Sequence, residues 1–291
     1  MNGFELEIPT SLRSAVDLLD PDDTSVRVIA GGTALMLMMK AGVFRPSRLI
    51  SLRAIEKQFS TLSAMPDGSF RIGAMATLSQ IEHAPELSKF APVLRQTLHI
   101  LSNVRVRNVA TIGGHLAHAD PHMDLPPVLI ALGADVVVTG RKGERRIPVQ
   151  DLYAGYFETV LARDELISEI IIPPQQQRRA TYLKCSTRAA HDWPALGVAV
   201  SLGVADKAAH EPRIVISAVS ERPIRVDAAE TVLNGQQLEP TNLRSAADAA
   251  ADTIETMSDA RGSAAYKKQL VRVYVERALR AAINAGAGTR L

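Results

Sequence analysis

Side chains capable of chemistry are densest between Arg107 and Pro127. Gly113 and Gly114 lack a Cβ, so an anion could come close to two free backbone N–H groups there. Thr111 adds a hydroxyl donor beside them. Asp120 and Asp124 would repel a phosphate, but they suit hydroxyls or ring N–H groups that need an acceptor. The run has little periodicity, and Gly113, Gly114 and Pro121 speak against a helix through it. It is therefore expected to be a loop that touches a ligand carrying both phosphate and polyol, as a flavin dinucleotide does.

Other chemistries find less support. His115, His118 and His122 stand three and four apart, a spacing that could place metal ligands on a helix face. With glycines and a proline among them and no cysteine nearby, no metal site is expected. There is no GxSxG elbow and no GxxxxGK[ST] loop. Cys185 is the single cysteine, which excludes an internal disulfide, a CxxC pair and a cysteine-ligated iron–sulfur cluster within this polypeptide.

A second candidate is Gly31-Gly32-Thr33. Val26 to Ala30 reads as a strand and Ala34 to Lys40 as a helix, so the glycines sit where orphan N–H groups and the positive helix end would meet an anion. The motif is not GxGxxG, and glycines end many strands. Asp124 is open to two readings, a cap for the helix beginning at Leu125 or a ligand contact.

The remaining elements must position these stretches. Helices are expected over 11–19, 78–83 and 90–101, and strands over 46–52, 69–76, 134–139 and 164–173, with a charged hairpin turn at 141–146. Prolines and polar residues from Pro173 to Arg179 mark a domain boundary. Beyond it, strands at 181–185, 195–205 and 213–220 precede helices at 227–233, 243–256 and 263–283. That order predicts a three-stranded antiparallel sheet with a helical layer.

At 291 residues the chain has room for more than one core. Its 46% hydrophobic and 22% charged residues are those of a globular protein. The net charge of +2 comes from 33 basic and 31 acidic residues without long blocks, so no nucleic-acid partner is expected. No run reaches membrane-span length and no signal peptide opens the chain, which points to the cytoplasm.

Two motifs in order also resemble a known family. Ala30-Gly31-Gly32-Thr33-x-Leu35 and Arg107-Asn108-x-Ala110-Thr111-Ile112-Gly113-Gly114, continuing into Ala117-His118-Ala119-Asp120-Pro121 and Asp124-x-Pro126, resemble the FAD-binding (medium) subunit of molybdenum hydroxylases, the carbon monoxide dehydrogenase and xanthine dehydrogenase superfamily. Arg261-Gly262-Ser263-Ala264-x-Tyr266-Lys267 resembles the end of its C-terminal domain. The resemblance implies an α+β protein: a two-subdomain PCMH-type FAD-binding fold over 1–176, divided at about 57/58, and a C-terminal domain over 177–291.

It further implies non-covalent FAD, with the pyrophosphate on Ala30, Gly31, Gly32, Thr33, Ala34 and Leu35 and on Thr111, Ile112, Gly113 and Gly114. Ala34 replaces the aspartate or serine of many relatives, so no side-chain contact is assigned there. His115 is placed to hydrogen-bond the pyrophosphate, Ala119 and Asp120 border the site, and Asp124 accepts from the ribityl chain. Ile167 and Lys184 fall near the flavin ring, Lys184 either stabilising reduced flavin or lying solvated on the surface. No residue of the chain is assigned a catalytic role, because the flavin carries the redox chemistry.

The implied assembly places the molybdenum cofactor in a large subunit and [2Fe-2S] clusters in a small one, in a dimer of heterotrimers. Electrons would pass through FAD to NAD, oxygen or a quinone. A self-contained flavin oxidase or reductase and a flavin-free scaffold are the alternatives.

Overall fold

The computed structural model describes residues 3–187, 189 and 191–285. Three short strands, β1 (Glu5–Glu7), β2 (Val26–Ile29) and β3 (Arg48–Ser51), form a parallel sheet in the order β1-β3-β2. Parallel neighbours need long connections, and these contain helices α1 (Leu12–Asp17) and α2 (Thr33–Lys40). Ser11 starts α1 by accepting from the Ser14 N–H at 3.1 Å. Leu12, Ala15 and Val16 then pack with Val26, Ile50 and Phe59 in a small core.

The next sheet is antiparallel. It contains β4 (Leu62–Ala64), β5 (Phe70–Gly73), β6 (Asp135–Gly140) and β7 (Gly143–Pro148), then, after the hairpin of β8 (Tyr153–Gly155) and β9 (Glu158–Thr159), β10 (Leu166–Ile172). The order is β4-β5-β10-β6-β7. Six helices separate β5 from β6: α3 (Leu78–Glu82), α4 (Pro85–Phe90), α5 (Pro92–Ile100), α6 (Val104–Arg107), α7 (Ile112–His118) and α8 (Leu125–Leu132).

Three expectations need correction here. The helix expected over 90–101 starts only at Pro92, and Phe90 instead ends the helix before it; Ala91 between them takes φ −141° because Pro92 bars its predecessor from helical backbone. The charged turn is shorter than expected. Glu144, Arg145 and Arg146 extend β7 against Thr139, Val138 and Val137, leaving Arg141 and Lys142 as the turn. The central run is not a plain loop: Ile112–His118 is helical despite its two glycines. Thr111 caps it by accepting from the Gly114 N–H at 3.2 Å, and tertiary packing overrides weak glycine propensity.

The last part forms a sheet of β11 (Arg179–Ser186), β12 (Pro194–Ala205), β13 (Ala208–Ser217) and β14 (Ile224–Arg225), in that order and antiparallel. The expected sheet and helical layer are present, and the two-residue β14 adds an edge. Helices α9 (Asp227–Leu233), α10 (Pro240–Thr253) and α11 (Ala264–Ala285) cover one face, where Leu196, Val198 and Val200 meet Ala246, Ala250, Val271 and Val275.

Strand alternation sends Ala199 and Val215 to the opposite face, into the core of the preceding layer with Tyr182. Helix α8 explains that continuity. All eight of its residues are buried, the pattern of a helix enclosed on every side, and it packs on β12 and β13. No helix of the described residues is long and apolar enough to cross a membrane.

Candidate functional site

The two glycine motifs, about eighty residues apart in sequence, meet in the fold. A Cβ on Gly31 would overlap the carbonyl oxygen of Val109 and lie 2.8 Å from Ala110 Cα. Only glycine allows that approach. On the other side of the junction, a Cβ on Gly114 would fall 3.5 Å from Ala30 Cβ. The loop after β2 therefore rests on the turn that leads into α7.

The two motifs differ in what they offer a ligand. The N–H groups of Gly113 and Gly114 were expected to be free, yet Gly113 donates to Ala74 O at 2.8 Å and Gly114 to Thr111 Oγ1. Ile112 and His115 are likewise spent, on Ala76 O and Thr111 O. Gly113 is a packing glycine: a Cβ there would lie 2.6 Å from Ala74 Cβ. By contrast, the N–H groups of Gly31, Gly32, Thr33, Ala34 and Leu35 donate to no described residue. Gly32 takes φ 72° as the N-cap of α2 and supplies no side-chain cap, so this row of donors stays open at the positive end of the helix.

Polar groups of the central run are buried beyond it. His115 Nε2 and Asp120 Oδ2 are both enclosed without a partner among the described residues. Burial, with the neighbouring His118, lowers the His115 imidazole to about 3. It is thus neutral near pH 7 and offers one donor and one acceptor nitrogen. Ala119 ends α7 with φ 54° and accepts from the Phe157 N–H at 3.1 Å.

Asp124 proves not to be a side-chain cap for α8. Its Oδ1 accepts from the Tyr182 hydroxyl at 2.7 Å and its Oδ2 from Lys184 Nζ at 3.0 Å. Lys184 is not solvated, since its side chain is only 3% exposed. Burial raises the Asp124 carboxyl, while Lys184 and Tyr182 oppose that rise. Ile167 is buried in the main core at a bulge in β10. Its neighbour Ser168 accepts from the Ala74 N–H at 2.9 Å, tying that bulge to the residue on which Gly113 packs.

Sequence reasoning missed Tyr182, although it stands two residues from Lys184 on one strand and so shares its face. It also missed a polar chain to the last domain. Asp120 Oδ1 holds His122 Nδ1 at 2.9 Å, His122 Nε2 lies 3.1 Å from Asp259 Oδ2, and Lys267 Nζ donates to that same oxygen at 2.7 Å. Trp193 stacks on the His122 ring at 5.9 Å between centroids. The link that joins the two ends, His122 to Asp259, crosses 137 residues, and no local pattern announces it. Among the described residues, no three His, Cys, Asp or Glu side chains converge as a metal site.

The Asp259 link makes stability depend on pH. Burial works against its charge, but hydrogen bonds from Lys267, His122 and the Arg261 N–H outweigh it and lower the carboxyl to about 2. A carboxyl lowered on folding adds stability above its unfolded value, and that stability is lost as pH falls toward the folded one. Because Asp259 is exposed and its interactions are screened by solvent, Asp259→Asn should cost only about 1 kcal/mol at pH 6, with the deficit shrinking between about pH 4 and 2. Urea titrations at several pH values measure this, and a deficit independent of pH would remove the carboxylate from the account.

Comparison with known proteins adds a separate finding. Residues 2–175 match the family model described as the FAD binding domain in molybdopterin dehydrogenase, and residues 181–282 match that of the CO dehydrogenase flavoprotein C-terminal domain. The chain is 34% identical to the nicotine 6-hydroxylase medium subunit of Paenarthrobacter nicotinovorans, over 97% of this chain and 96% of that one. It is 31% identical to the carbon monoxide dehydrogenase medium chain of Hydrogenophaga pseudoflava, over 96% of each. A solved structure of carbon monoxide dehydrogenase from that organism, lacking the Mo-pyranopterin moiety, superposes with a TM-score of 0.93 at 31% identity, covering 98% of both chains.

Proposed function

The chain belongs to the family of FAD-binding medium subunits of molybdenum hydroxylases, and on that premise we propose that it binds FAD non-covalently to relay electrons within such a complex. Its large partner carries the molybdenum cofactor and its small partner carries [2Fe-2S] clusters, in a dimer of heterotrimers. When bound, FAD supplies the redox chemistry, taking electrons from the clusters and passing them to NAD, oxygen or a quinone.

The observation that carries this reading is the row of five uncommitted N–H groups from Gly31 to Leu35 at the start of α2. Successive backbone donors at a helix N-terminus fit a pyrophosphate. In the turn from Thr111 to Gly114 the N–H groups of Ile112, Gly113 and Gly114 are spent, whereas the N–H and hydroxyl of Thr111 donate to no described residue and add to that row. His115 and Asp120 each bring a buried polar atom in need of a partner, which suits a ligand with several hydroxyls. Asp124, held by Tyr182 and Lys184, retains lone pairs for a ribityl hydroxyl. Ala30, Ala34, Ala119 and Ile167 border the site through backbone or apolar surface. Residues 1–57 and 58–176 form the two halves of the FAD unit, and 177–291 the C-terminal unit.

An absorption spectrum of the purified chain, repeated on the supernatant after acid precipitation, tests the cofactor. Flavin bands should appear and should move into the supernatant. Affinity purification from the native cell should bring down two further chains, one with molybdenum and one with iron and sulfide. A colourless native complex would overturn the flavin assignment, and substrate turnover by the chain alone would overturn the partner-dependent one.

A further inference from the structure

At the far end of α8 from Asp124 lies a cavity of about 180 Å³, lined by Ile130, Gly133, Ala134 and Pro148 together with Gln150, Arg213 and Arg225. Nine residues of roughly helical rise separate Asp124 from Gly133, about 13 Å, so the cavity is apart from the flavin site.

Strand register explains why two arginines face it. Arg225 of β14 pairs with Val215 of β13, and Arg213 is two residues from Val215, so all three share one sheet face. Val215 belongs to the core that contains α8, so this is the face turned toward that helix. Gly133 makes room for the guanidinium: a Cβ there would overlap Nη1 of Arg213, and its φ of 73° suits glycine.

The charges do not balance. Around the cavity, Arg178, Arg213 and Arg225 interact with Glu211 and Glu230. Glu230 is taken by Arg225 through Nε and Nη2, at 2.9 and 2.7 Å, and also accepts from the Ile214 N–H. Arg178 holds Glu211 and Ser201. Arg213 makes no hydrogen bond or ion pair to any described residue, and Nη1 of Arg225 is likewise uncommitted. A half-buried guanidinium with no acceptor is costly.

We propose that this cavity binds a small oxyanion that presents two oxygens to the Arg213 fork, with Arg225 Nη1 and the Gln150 amide as further donors. A guanidinium matches phosphate and carboxylate equally in that mode. The apolar walls from Ile130, Ala134 and Pro148 leave space for a short organic stem.

The test is calorimetric titration of the FAD-loaded protein with inorganic phosphate, and separately with acetate, for wild type, Arg213→Gln and Arg213→Lys. Loading with FAD keeps the pyrophosphate cradle filled. One saturable site per chain is expected, weakened at least tenfold in both variants with flavin content unchanged. The better of the two probes identifies the ligand as phosphate-bearing or carboxylate-bearing. No saturable binding of either probe, or equal binding in the variants, would overturn the proposal and leave Arg213 as a counter-charge for the end of α8. Should Arg213→Gln fail to fold, Arg213→Lys, which keeps the charge but loses the fork, decides between the two.

Discussion

Gly31→Val is expected to yield a chain that purifies without flavin. The added Cβ would overlap the Val109 carbonyl oxygen and press on Ala110 Cα. Both obstacles are backbone, so neither can rotate away, and one loop must leave the other. The cost to the fold is about 1–3 kcal/mol, the range for overpacked sites. The cost to binding is larger in effect, because separating the loops displaces the five N–H groups from Gly31 to Leu35. The ratio of flavin absorbance to protein absorbance measures the loss, with thermal unfolding as a check that the chain still folds. Gly3→Val is the control, since nothing lies within 4 Å of a Cβ there. Full flavin content in Gly31→Val would show that the loop tolerates displacement and would detach the cofactor from it.

Lys184→Ala should destabilise the protein by roughly 3–5 kcal/mol, the usual result of removing one partner from a buried ion pair. Asp124 is 5% exposed and would keep only the Tyr182 hydroxyl. Burial already raises its carboxyl, with Lys184 the first of the groups opposing that rise. A carboxyl raised on folding favours the folded state below its unfolded value, and that advantage is lost as pH climbs through the folded one. The deficit of Lys184→Ala should therefore shrink on acidification, when protonated Asp124 has no charge to bury. Adding Asp124→Asn to Lys184→Ala should recover part of the loss at neutral pH. Urea midpoints across pH provide the readout. A loss below about 1 kcal/mol would mean that the pair behaves like a solvated surface contact.

The features legible in the sequence were those written locally. Gly31 and Gly32 follow a β-branched strand and precede an apolar run, so the strand-to-helix junction could be placed to within a residue. The antiparallel sheet and helical layer of the last part followed from a block of strands before a block of helices.

The central run was misread because its helix rests on non-local support, namely Thr111 as cap and Ala74 beneath Gly113. For the same reason its glycines looked available to a ligand when their N–H groups were already engaged. Asp124 was weighed as a cap because Pro126 and Pro127 follow it. Its actual partners come from β11, about sixty residues later, where the alternation of Tyr182 and Lys184 was the one signal that could have named them. The link from His122 to Asp259 crosses 137 residues and has no counterpart in periodicity.

The enclosure of α8 has a consequence for biosynthesis. A chain emerging from the ribosome folds its earlier portions first. Both glycine motifs are complete by Gly114, and the second sheet by Ile172, before β12 and β13 have been made. At that stage α8 has its N-terminal partners but lacks the strands that cover its other side. Asp124 is also still without Tyr182 and Lys184. The nascent chain therefore passes through a stage with the two glycine motifs in place and a wholly apolar helix bare on one side, the kind of surface that chaperones hold, and its covering waits on the last third of translation.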